Sequence, residues 1–154
     1  MNPLFVFGIA RSGTNLLARV LDAHSQIAIA LDPFMPIFKA IRNAILRLED
    51  PAAPFQDFYQ APRGYVLLDT LLAGDLSAPI AASKLPALRA AVAARAALEV
   101  PDIAARADDL AGASCHALMA SAVDIVAACR ASGATRWVGI KEVWVLDFLP
   151  ALLQ

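Results

Sequence analysis

Apolar residues gather in short unbroken runs near the two ends of the chain and in helical stripes between them. Leu4-Phe5-Val6-Phe7 is a run closed by Gly8, the pattern of a parallel strand buried on both faces. Residues 8–12 read as a tight loop. The helix after it carries Leu16, Leu17, Val20 and Leu21 as one apolar stripe and ends near Ala23-His24. Ile27-Ala28-Ile29-Ala30 is a second strand. A strand–loop–helix–strand unit of this kind predicts an α/β fold with a parallel sheet.

Asp32-Pro33 reads as an N-cap followed by proline at the first helical position. Phe34, Ile37, Phe38, Ile41, Ile45 and Leu48 then fall on one helical face. Residues 49–64 form an irregular, proline-bearing connection, and 65–72 a short helix or turn. An alanine-rich helix spans 84–98 with Leu85, Leu88 and Val92 at helical spacing, and Pro101 breaks it. Asp108 and Asp109 mark the start of another helix, Arg130 its end and Gly133 its stop. Leu118, Ala122, Ile125, Val126 and Cys129 are its buried stripe. Trp137-Val138-Gly139-Ile140 is a third strand, with a last helix from about Glu142. The expected architecture is a single α/β domain over 1–154, a P-loop-type three-layer fold with a small parallel sheet and a large helical insertion at about 34–133. Trp137 and Trp144 are expected in the core.

The 154 residues suit one domain, and 59 % hydrophobic content with 18 % charged excludes disorder. The net charge of -1 argues against a nucleic-acid partner. Leu110 to Val123, the longest charge-free stretch past the N-terminus, is shorter than the ~20 residues of a membrane helix. No membrane association is expected. The opening residues lack the basic region of a signal peptide, and Cys115 and Cys129 show neither metal nor disulfide spacing. A cytoplasmic protein with two buried thiols is the expectation.

The chemistry concentrates in Gly8-Ile9-Ala10-Arg11-Ser12-Gly13-Thr14-Asn15, between a strand and a helix. Its glycines have the spacing of a phosphate-binding loop, whose backbone N–H groups and adjoining helix end attract an anion. The nucleoside-triphosphatase form of that loop places Lys, then Ser or Thr for Mg²⁺, after the second glycine. Here those places hold Thr14 and Asn15, and the cation is Arg11 inside the loop. Such a loop suits a phosphate ester handled without a metal.

Phe5 to Leu17, continuing to Leu21-Asp22-Ala23-His24, resembles the start of the sulfotransferases that use 3′-phosphoadenosine-5′-phosphosulfate (PAPS), closest to the tyrosylprotein sulfotransferase type and its bacterial relatives. The likeness covers about residues 4–36 and returns at 137–150. It implies PAPS as sulfuryl donor, a small-molecule or glycan hydroxyl as acceptor, and no metal. It implies that Gly8, Arg11, Ser12, Gly13, Thr14 and Asn15 bind the donor, with Arg11 on the 5′-phosphosulfate and its bridging oxygen. It implies Asp32 as general base, in place of the relatives' glutamate, and Lys141 as the cation on the transferring group. His24 also resembles a family position, with helix capping as its other reading. Asp32 has the N-cap as its rival role, and Lys141 that of a surface lysine beside Glu142.

Asn15 stands where the family commonly has Thr, Ser25 where it has Pro, and Ala10 where Pro often precedes the arginine. The family's Arg-Asp-Pro-Arg-like segment, which binds the 3′-phosphate, finds no counterpart before Gln154. The expectation is an incomplete fold, completed by self-association or a second chain. Two other readings stay open: a degenerate P-loop kinase or nucleotide hydrolase, and a non-catalytic helical interaction module that retains the loop.

Overall fold

A computed structural model of the chain describes residues 1–8, 12–45, 69–143 and 150. The three apolar runs are strands: β1 (Asn2–Val6), β2 (Ile27–Leu31) and β3 (Trp137–Lys141). They form one parallel sheet in the order β1-β3-β2, so the last of them in sequence inserts between the first two. Val138 and Ile140 of the central strand are buried, as the unbroken apolar run requires. Gly139 lies so close to β1 that a Cβ there would land on the carbonyl of Leu4. Only glycine permits that approach.

Helix α1 (Thr14–Asp22) comes after β1, and α2 (Met35–Ile45) after β2. The helical region then supplies α3 (Leu85–Ala96), the single-turn α4 (Pro101–Ala104) and α5 (Cys115–Arg130). The stripe expected on α2 is real: Phe34, Ile37, Phe38 and Ile41 are buried. They share one core with Leu88, Val92, Ile103, Leu118, Ala122, Ile125, Val126, Val138 and Ile140. Packing of α2 against α3 and α5, with α5 lying on the sheet, builds that core. The result is an α/β fold with a small three-stranded parallel sheet and several helices.

Several boundaries differ from the expectation. Leu16, Leu17 and Val20 of α1 do not face the core; they are 69 %, 51 % and 62 % exposed. The helix meets the sheet through Thr14 and the fully buried Ala18, which packs with Val6 and Ile29. Alanine lets the helix axis approach the strands, and that seating turns the leucines outward. Trp137, expected in the core, is 43 % exposed because it opens β3 at the sheet's rim. Trp144 lies outside the described residues, as do 49–64 and most of the expected last helix. Asp108 and Asp109 close a short 3₁₀ turn instead of starting α5. That helix starts at Cys115, where the Ser114 hydroxyl accepts from the Ala117 N–H at 3.2 Å. It ends at Arg130, short of the expected glycine stop, because Ala131 turns extended.

The edge strand β2 is tied down by side chains. The Ile29 N–H donates to Asp22 Oδ1 at 2.7 Å, and the Ile29 carbonyl accepts from Arg130 Nη1 at 2.8 Å. Arg130 also pairs with Asp102 at 3.0 Å, which joins α1, β2, α4 and α5 at one point. Among the described residues no helix is long and apolar enough to cross a membrane.

Candidate active site at the carboxyl ends of the strands

In the parallel register Val6, Lys141 and Leu31 lie side by side. The chain leaves all three strands at one end of the sheet: through Phe7-Gly8 after β1, Glu142 after β3, and Asp32 after β2. Open α/β sheets hold their ligands at this end.

The loop after β1 folds back on its first glycine. A Cβ on Gly8 would lie 2.9 Å from both Ser12 Oγ and Thr14 Cγ2. Gly13 precedes α1 in the left-handed region, at φ +81°, where glycine carries no steric cost. No side chain of the cap residue bonds the helix start, so its first N–H groups keep their donor capacity. Thr14 is buried, while Ser12, Gly13 and Asn15 are exposed. Arg11 lies outside the described residues.

Asp32 and Lys141 form the centre of the site. Lys141 Nζ lies 2.9 Å from Asp32 Oδ1 and 2.7 Å from Oδ2, with the lysine side chain only 4 % exposed. The backbones reciprocate: the Asp32 N–H donates to the Lys141 carbonyl at 3.0 Å. Arg95 of α3 donates from Nε to the Asp32 carbonyl at 3.2 Å. These contacts hold Asp32 at φ +53°, a conformation that aspartate adopts more readily than most residues. Both rival readings from sequence are thereby overturned. Asp32 is not the cap of α2, because its carboxylate is turned to Lys141 and the helix starts only at Met35. Lys141 is not a surface lysine, because the central strand carries it into the protein.

Glu142 and Arg95 are the residues that sequence reasoning passed over. Glu142 is 1 % exposed, and its N–H donates to the Val6 carbonyl at 2.9 Å. Burial first, and then the negative charge of Asp32, push its carboxyl up to about 8, against the opposing pull of Lys141 and Arg95. The signal in the sequence was the Lys-Glu pair ending a strand; its burial depends on β3 being central. His24 lies at the far end of α1, where its Nδ1 accepts from the Gln26 N–H at 3.2 Å. That contact matches the capping reading. Burial pushes the Cys115 thiol up to about 11 and raises Cys129 as well, so neither is a thiolate at neutral pH.

A parallel sheet with a glycine loop after its first strand and a buried lysine–carboxylate pair at the same end defines an α/β protein built to handle an anion. Residues 3–62 match the model of a family described as the sulfotransferase family. That span holds β1, the loop, α1, β2, Asp32 and α2, so the resemblance read from the sequence is borne out for the N-terminal part of the chain. A sulfotransferase-type, and hence transferase, function follows in general terms. No curated protein and no solved structure matches the chain.

Proposed function

We propose that this domain transfers a sulfuryl group from PAPS to a hydroxyl acceptor. The observation that carries the reading is the buried Lys141–Asp32 pair beside the Gly8–Thr14 loop, within and next to the segment that matches sulfotransferases. The residues present fit such a donor. Gly8 leaves room that a Cβ would fill, and the uncapped start of α1 offers N–H donors to a 5′-phosphate.

When bound, the donor supplies the sulfuryl group and the nucleotide that leaves. Ser12, Gly13, Thr14 and Asn15 would hold its phosphate, and Arg11 would stabilise charge on the bridging oxygen. Lys141 would neutralise the equatorial oxygens, the task that positioned cations perform in such transfers. Asp32 would receive the acceptor's proton. The ion pair links these two roles. An ammonium shared with an anion at the mouth leaves Asp32 less neutralised, and a carboxylate without its counter-charge takes up a proton more readily. An acceptor bearing a hydroxyl on a small molecule or a glycan, and completion of the sheet by a second copy or chain, belong to the same proposal.

Calorimetry tests it with adenosine 3′,5′-bisphosphate and with ATP–Mg²⁺. Binding of the bisphosphate without metal, lost in Lys141→Met, is expected. Binding of the triphosphate alone, and only with magnesium, would replace the reading by a kinase or nucleotide hydrolase.

A further inference from the structure

Glu142 has no place in the transfer just described, yet it sits against both of the groups that do. It comes directly after Lys141, and the hydrogen bond to Val6 fixes its backbone one step past the end of β3. Its Oε2 is buried and has no hydrogen-bond partner among the described residues. A carboxylate acting only as structural filler would be expected to hold a donor on each oxygen. The charged groups acting on it are Asp32 beyond β2, Lys141 on its own strand and Arg95 of α3. The contact from β1 is a main-chain carbonyl and brings no charge.

We infer that Glu142 is a positioning residue for Lys141. While it keeps its proton, Asp32 is its only rival in this group for the ammonium; once ionised, Glu142 becomes a second carboxylate competing for Lys141. Ionisation also makes the mouth one charge more negative, which weakens its hold on an anion. The raised carboxyl described above puts this change just above neutral pH. The part that concerns the anion rests on the proposed donor site; the coupling between Glu142 and Lys141 does not.

The two parts separate experimentally. The chain contains three glutamates, so ¹³C labelling of their carboxyl carbons yields few signals, and Glu142→Gln identifies the one of interest. In the unmodified protein the Glu142 carboxyl and the Lys141 Nζ signals are expected to titrate together, with a midpoint near 8. In Glu142→Gln the Lys141 signal should stay flat over that range. A Glu142 carboxyl titrating in the ordinary acidic range, or a Lys141 signal indifferent to it, overturns the inference without need of any variant. Calorimetry with adenosine 3′,5′-bisphosphate at about pH 6.5 and about pH 9 supplies the second readout. Affinity should fall roughly tenfold in the unmodified protein and less than about twofold in Glu142→Gln. An equal fall in both overturns the inference. Joint titration of Glu142 and Lys141 in a protein that binds no bisphosphate at either pH would uphold the coupling and dismiss the donor reading.

Discussion

Lys141 and Asp32 are separated by 109 positions in sequence, yet the ammonium of one bridges both carboxylate oxygens of the other at 2.9 and 2.7 Å. Each residue also gives its backbone to the other, through the Asp32 N–H and the Lys141 carbonyl. The pair thus closes the seam between β2 and β3 at the same end as the glycine loop. Removing one partner from a buried pair strands the other charge and costs about 3 kcal/mol or more. Lys141→Met should show a loss of that order in urea unfolding. Asp32→Asn in the same background keeps a side chain tolerant of the left-handed backbone, so the double variant should recover part of the loss. Losses that simply add would mean the two groups are not coupled.

Glu142 makes a pH prediction of definite sign. Its carboxyl stands near 8 in the folded chain against an ordinary 4.5, so the folded state holds the proton more tightly than the unfolded one. The associated stability is complete below about 4.5, declines as pH rises, and is gone above about 8. Glu142→Gln has no proton to lose there. Its unfolding free energy should therefore gain on that of the unmodified protein across this window, by about 5 kcal/mol at most. Urea titrations at the two ends of the window measure the gain, and parallel curves would contradict it.

The strands were legible because parallel strands buried on both faces are unbroken apolar runs, and Leu4-Phe5-Val6 and Ile27-Ala28-Ile29 have few other uses. The glycine loop was legible for a similar reason: its backbone requirements are written in residue types. Partners across long separations were not. Asp32-Pro33 carries a strong local signal for a cap, and only the strand order brings Lys141 within reach of it. Glu142 looks like an ordinary polar residue at a strand end until β3 is known to be central. The stripe on α1 reported apolar content faithfully but not which side of the helix the sheet would take.

The loop prediction separates fit from flexibility. Gly8→Ala puts a methyl group 2.9 Å from Ser12 Oγ and from Thr14 Cγ2, so the loop must open to admit it. Binding of adenosine 3′,5′-bisphosphate should weaken about tenfold or more, equivalent to at least about 1.4 kcal/mol. Gly13→Ala meets no atom within 4 Å but forces a side chain to φ +81°, so it should cost about 1 kcal/mol in stability. Calorimetry and thermal unfolding on both variants distinguish the two effects. Unchanged binding in Gly8→Ala would make the loop a packing device.

Helix α1 offers the sharpest contrast between pattern and packing. Leucine and valine at positions 16 and 20 would ordinarily be taken as core, where polar replacement is severe. Their place is on the surface, at 69 % and 62 % exposure, while Ala18 between them is fully buried against Val6 and Ile29. Leu16→Gln and Val20→Gln should each change stability by no more than about 0.5 kcal/mol. Ala18→Leu, which leaves the sequence more hydrophobic, should cost about 1–3 kcal/mol, because the added atoms must push the helix off the sheet. Urea unfolding of the three variants decides between the two faces. A loss for Leu16→Gln as large as that of a core leucine would mean that this face is covered in solution.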